Sequence, residues 1–253
     1  MNEIAQEVLK DFINDDGLIN IPNNFKRVNL DVGTSNNAPY SEYWLANDRV
    51  GDLCVFGFEP SPYNVKLVLN GNSSGIHGGE DNHYFAPSFW PIHLNTDRIN
   101  NSFYLIECAL SNGEPRKQIF HCVDDGVSGC SSLYECRNLE SYDKPNVSVI
   151  SLKNFFDVFP WERIPHIDIL KVDAQGEDFN IIKGCENYLS EKVVTLMVET
   201  STGNGYVGID ENPGEFKKFI EDCGFVCERW GADGMFYNKK FEQLSKTIDH
   251  TPH

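Results

Sequence analysis

Residues 167–184 read IDILKVDAQGEDFNIIKG, and no other stretch limits the fold so tightly. A short apolar run leads through Lys171 and Val172 to Asp173, and Gly176 then opens an acidic, helix-forming segment. A buried strand that delivers Asp173 to its C-terminal edge and turns into a helix has this form. In open α/β sheets that edge is where ligands bind. Two similar units stand upstream: RVNLDVG at residues 27–33, ending in Asp31-Val32-Gly33, and CVFGFEP at residues 54–60, ending in Glu59-Pro60. Three acids at three strand ends suggest a site for a polyhydroxylated or cationic ligand.

Around these units strands alternate with helices. Ile4, Val8, Leu9, Phe12 and Ile13 have helical spacing, so residues 1–14 read as an amphipathic helix within an N-terminal extension over 1–26. Strands are expected over 28–32, 53–58, 102–110, 117–123, 147–150, 167–172 and 193–198. Helices are expected over 39–47, 63–69, 179–189 and 213–223, with one more after an N-cap at Ser151. Residues 225–230 and 235–238 read as an antiparallel pair around a glycine turn. The alternation predicts a single α/β domain over 1–253, with a mostly parallel sheet, helices on both faces and an antiparallel hairpin at the C-terminal edge. Residues 72–101 and 124–142 are polar, variable loops, and 239–253 reads as a loosely held tail.

Composition narrows the partners. The formal net charge is −17, without a run of basic residues, which disfavours nucleic acid and anionic membrane surfaces. The N-terminus is acidic where a signal peptide is basic, and no apolar stretch is long enough to span a bilayer. Eight scattered cysteines without a Cys-x-x-Cys pair argue for reduced thiols in a cytoplasmic protein rather than for zinc or disulfides.

The strand ends select among ligands. A dinucleotide needs several glycines after the first strand so that a pyrophosphate can approach the backbone, whereas here Gly33 is followed by Thr34, Ser35, Asn36, Asn37 and Ala38. A P-loop is absent as well. S-adenosylmethionine carries a sulfonium cation and a ribose diol without phosphate, and acids suit both. Asp31 can face its amino group, directly or through water, and Glu59 can accept hydrogen bonds from the ribose hydroxyls.

At this point the chain resembles the FkbM-type S-adenosylmethionine-dependent methyltransferases. The resemblance runs from about residue 28 to 199 and rests on Asp31-Val32-Gly33, on FGFEPSP at 56–62, on Ala109-Leu110-Ser111, on GCSSL at 129–133, on ILKVDAQGEDFNIIKG at 169–184 and on LMVE at 196–199. Two positions depart from the family pattern: Gln175-Gly176 stands where Glu-Gly is usual, and a second glycine after Gly33 is missing. The resemblance implies a three-layer, Rossmann-like class I methyltransferase sheet and methyl transfer to hydroxyl oxygens of sugars, glycans or related small molecules. It further implies cofactor contacts at Asp31, Gly33, Thr34, Ser35, Glu59, Pro60, Ala109, Ser131 and Ser132.

Methyl transfer to a hydroxyl is helped by a general base. Asp173 is the first choice; a helix cap and a metal ligand are its other readings. Lys171 lies two residues earlier on the same strand face and serves either catalysis or an ion pair bracing the strand ends. Glu177 complements the dipole of the following helix. Asp173 and Glu199 on adjacent strand ends could together hold a divalent cation, which is possible but not favoured. His77, His83, His93 and His121 are alternative bases. Trp90, Trp161, Tyr206 and Trp230 could stack on a sugar or serve as packing anchors. Two competing functions stay open: a catalytically inactive methyltransferase-like binding module or scaffold, and a nucleotide-sugar or NAD enzyme on the same fold.

Overall fold

A computed structural model describes residues 2–71, 93–123, 129–200, 205–209 and 212–248. The chain opens with α1 (Glu3–Leu9), capped by the Asn2 side chain on Ile4 N, and then tightens into a single 3-10 turn at Lys10–Phe12. The helix expected through residue 14 is therefore shorter. The first βαβ unit follows as expected: β1 (Arg27–Val32), α2 (Pro39–Asn47) and β2 (Leu53–Phe58). Next comes α3 (Pro62–Asn70), whose N-cap is Ser61 and whose last turn ends at Gly71 in the left-handed region.

The strand expected over 102–110 divides. β3 (Phe103–Ile106) joins the main sheet beside β2, while β4 (Ala109–Leu110) leaves it to pair elsewhere. The strand expected over 117–123 divides too, into β5 (Arg116–Ile119) and β6 (Cys122–Val123). β7 (Ser141–Asp143) pairs with β6 and lies in what the sequence suggests is loop. β8 (Asn146–Ile150) runs parallel to β4 and antiparallel to β5, forming a small second sheet in the order β4-β8-β5.

Ser151 caps α4 (Leu152–Phe156) through a reciprocal box with Asn154. β9 (Ile167–Val172) is buried throughout. The helix expected over 179–189 is two, α5 (Asp178–Lys183) and α6 (Asn187–Lys192), separated where Glu186 takes a φ of 50°. Then come β10 (Val193–Glu199), α7 (Pro213–Asp222), β11 (Phe225–Arg229), β12 (Asp233–Asn238) and α8 (Glu242–Ser245). The tail expected to be loosely held thus carries a helix, with Ser245 buried and Ile248 packed against a core cluster. Residues 249–253 lie outside the described residues, as do His77, His83 and Trp90.

The seven-stranded sheet has the order β11-β12-β10-β9-β1-β2-β3. Its five strands from β10 to β3 are parallel, and β12 and β11 close one edge antiparallel. This is the three-layer, mostly parallel α/β architecture that the alternation predicts. On one face Val28, Leu30 and Val32 pack with α1, α4, α5 and α7. On the other, Val55, Phe103, Ile169 and Met197 pack with Trp44 and Leu45 of α2 and Val68 of α3. Between α2 and residues 93–98, Leu94 N donates to Asn37 O, and Arg98 pairs with Glu42 at 2.8 Å.

Phe155 sits at the centre of the first core, in contact with the rings of Phe56, Phe58, Phe156 and Phe159. Truncating it would leave a cavity that several rigid rings line and cannot easily close. Phe155→Ala is expected to lose about 3–5 kcal/mol of stability in denaturant unfolding; a loss below about 1 kcal/mol would show that this core relaxes around the gap.

Candidate active site

β2, β1, β9 and β10 run parallel and end side by side, bringing Glu59, Gly33, Asp173 and Glu199 to one edge of the sheet. The register sets Asp31 directly opposite Lys171. Lys171 is buried, and its ammonium donates to Gly33 O at 2.8 Å and Val32 O at 3.3 Å. It lies 3.3 Å from Asp31 and 3.5 Å from Asp173, over the ring of Tyr40. Burial acts to lower its pKa, but Asp31, Asp173 and Tyr40 outweigh that and hold it above the ordinary lysine value. Lys171 is thus a fixed cation and not a proton acceptor near neutral pH. Asp31 is fully buried between Lys171 and the Ser41 hydroxyl, which donates to it at 2.6 Å. In this arrangement Asp31 acts on a ligand only through Lys171, which corrects the expectation of a direct contact.

After β1 the chain must turn hard. Gly33 has a φ of +76°, and a Cβ there would stand 1.8 Å from the Asp173 carbonyl oxygen. Only glycine fits, so the exits of β1 and β9 touch backbone to backbone. Gly33 N donates to Phe58 O at 3.0 Å, and Ser35 N donates to Glu59 Oε2 at 2.9 Å. Glu59 also accepts from Ser61 N at 3.0 Å and from Asn64 Nδ2 at 3.2 Å, both on Oε1. Burial still raises its pKa to about 7, against the lowering effect of these donors and of Lys171. Pro60 follows it and leads into α3, where it is partly exposed. Two buried polar atoms in this corner, Asn64 Oδ1 and Thr34 Oγ1, have no hydrogen-bond partner.

At the next strand end Asp173 is the open acid, with its side chain 38 % exposed. Gln175, in the left-handed region at φ 52°, donates from Nε2 to Asp173 Oδ1 and to Glu199 Oε2, at 2.8 Å each. Its Oε1 accepts from the Tyr206 hydroxyl at 2.8 Å, and its backbone carbonyl accepts from Ser132 Oγ at 2.7 Å. Tyr206 also reaches Cys130 O. Asp178 holds the turn itself, accepting from Ala174 N and Gly176 N. Burial first, and then the carboxyls of Asp173 and Asp178, push Glu199 up to about 11.

Other expected residues fall elsewhere. Ser132 joins the site through Gln175, whereas Ser131 accepts from Val123 N and serves its own loop. Ala109 is buried in the core beneath the small sheet with Phe120 and Val149. Glu177 is not a solvated dipole partner. It is buried and bound by Ser111, Tyr134 and Asn180. His121 contacts Ser141 on the β6–β7 ribbon, and burial lowers its pKa. Trp161 packs against Phe159 and Tyr188 as a core anchor, while Trp230 lies beneath Lys217. Among the described residues no cluster of three or more His, Cys, Asp or Glu could hold a metal, and none of the helices is long and apolar enough to cross a membrane. Sequence reasoning missed Gln175 and Asn64. Gln175 was visible only as a departure in the most informative segment, and Asn64 gave no signal at all.

The model of the methyltransferase FkbM domain matches residues 31–227. The chain belongs to the FkbM methyltransferase family. Among solved structures it is similar to the methyltransferase FkbM from Methylobacillus flagellatus KT, at 12 % identity and a TM-score of 0.44, over 93 % of this chain and 48 % of that one. It is also similar to a Methanococcus jannaschii fibrillarin pre-rRNA processing protein, at 9 % identity and a TM-score of 0.36, over 86 % of this chain and 68 % of that one. The chain spans about half the length of the Methylobacillus protein. No curated protein matches it.

The buried acid of this FkbM domain makes stability depend on pH. Glu199 binds its proton more tightly folded, at about 11, than unfolded, at about 4.5. Above the lower value the unfolded chain loses a proton that the folded chain keeps, so stability falls as pH rises. The thermal midpoint is expected to decline between about pH 5 and 9, and Glu199→Gln to flatten that decline. An equal slope in the variant would place the proton elsewhere.

Proposed function

We propose that this FkbM domain is an S-adenosylmethionine-dependent O-methyltransferase acting on a hydroxyl of a sugar, a glycan or a related small molecule. The observation that carries the reading is the corner at the end of β2. A carboxylate offers about four acceptor positions, and Glu59 uses three of them on Ser35, Ser61 and Asn64. The remaining position and the unpartnered Asn64 Oδ1 give two acceptors, the number a ribose diol needs. The glycine turn at Gly33 and the backbone of Thr34 and Ser35 form the adjoining wall.

Charge supports the same assignment. Lys171 balances one of its two carboxylate neighbours, Asp31 and Asp173, and Glu199 keeps its proton. The rim is left with a single negative charge, which suits a ligand of net charge +1. When bound, the cofactor supplies an electrophilic methyl group on a cationic sulfur. Asp173, exposed and ionised beside Lys171, accepts the proton that the acceptor hydroxyl gives up. A positioned base of this kind contributes about 10²–10⁴-fold. No metal is part of this reading, and turnover is expected to be indifferent to chelators. All eight cysteines are free thiols, which supports a cytoplasmic setting.

Calorimetry with S-adenosylhomocysteine tests the cofactor. Glu59→Ala is expected to weaken its binding by about 1–3 kcal/mol, and Asn64→Ala by a smaller amount, through loss of hydrogen-bond acceptors. Asp173→Asn is expected to lower turnover by at least about 10²-fold while leaving that affinity within a few-fold. A wild-type protein that does not bind S-adenosylhomocysteine would instead be the scaffold of the competing reading.

A further inference from the structure

The turn after β9 contains a side chain whose every polar group is used, and used on the site. We propose that Gln175 is a positioning residue for methyl transfer: its amide fixes the Asp173 carboxylate beside Glu199 and couples that arrangement to the docking of Tyr206. The proposal rests on the reading of Asp173 as the base.

The geometry makes the argument. One amide nitrogen has two hydrogens, and here each meets a different carboxyl, at 2.8 Å from Asp173 and 2.8 Å from Glu199. The amide oxygen is held by Tyr206, which is itself tied to Cys130 O, and the backbone carbonyl is held by Ser132. The residue sits at a φ of 52°, a conformation that costs a non-glycine residue of order 1–3 kcal/mol unless its surroundings enforce it. At the next position a Cβ on Gly176 would meet Ile209 and Tyr206, so the segment around Tyr206 packs directly on this turn. Two carboxyls sharing one donor repel if both ionise, and a neutral amide is the group that satisfies both without adding charge. A glutamate of the same shape would remove both donors and add a third negative charge.

The charged and titratable groups facing the pair are Lys171 on β9, Asp31 on β1 and Asp178 on α5. Asp233 on β12, with Arg229 beside it, faces the pair too, as do Tyr40 on α2 and Tyr206 with Cys130 and Cys136. Replacing Gln175 by Glu leaves all of these in place and changes only the bridge. The acid limb of the kcat/KM profile is therefore expected to move up by at least about one pH unit, because extra negative charge raises the proton affinity of Asp173. Turnover at neutral pH should fall about tenfold or more and recover as pH rises. In the protein without ligand, the thermal midpoint of Gln175→Glu should fall more steeply with pH than that of the wild type. A role confined to packing would lower it equally at every pH. Tyr206→Phe, which removes only the hydroxyl on Gln175 Oε1, should shift the same limb upward by less, and serves if Gln175→Glu does not fold. An acid limb unmoved in these variants overturns the proposal. If Asp173→Asn keeps full turnover, the base reading fails first, and the two failures are thereby distinguished.

Discussion

A buried ammonium organises this protein. Lys171 cannot shed its charge, because Asp31 and Asp173 stand beside it, and it cannot leave, because two backbone carbonyls accept from it. Burying a charge is costly unless it is paired and hydrogen-bonded. The fold meets that requirement with the strand register that opposes Asp31 to Lys171 and with the close approach of Gly33 to the β9 exit. The same contacts that satisfy the ammonium therefore fix the relative height of the central strand ends. Asp173, Glu199 and Glu59 inherit their positions from it.

The sequence revealed this centre well because the physics is local there. A strand buried on both faces must be apolar, and an acid at its end has nowhere to go but the edge, so β1, β2, β9 and β10 could be read with near-correct bounds. The site acids came with them. Elsewhere distant contacts decided. Residues 102–110 look like one apolar strand, yet the chain leaves the main sheet after Ile106 to give Ala109 and Leu110 to β8, a partner some forty residues on. Periodicity holds no information about such a change of sheet. The break at Glu186 and the helix in the tail are set by packing of similarly remote origin.

The site shows the same division. Asp31 and Glu59 were found by type and position, but their use depends on partners that no spacing reveals. Asp31 is consumed by Lys171 and Ser41, and Glu59 is mostly filled by Ser35, Ser61 and Asn64. Glu177 looked like a surface carboxylate and is instead the buried anchor between α5, Ser111 and Tyr134. An acid's burial is a tertiary property, and its chemistry follows from that burial more than from its place in a motif.

The stems on either side of residues 72–92 have a further consequence. The leading stem is closed by the left-handed Gly71 at the end of α3, and the trailing one is pinned to α2 through Leu94, Asn95 and Arg98. Two anchored ends turn whatever lies between them into a cassette. Doubling the length of such a connection costs only about 0.6 kcal/mol in closure entropy. Evolution or an engineer can therefore exchange this stretch wholesale, re-aiming the enzyme at new acceptors while the catalytic rim stays as it was.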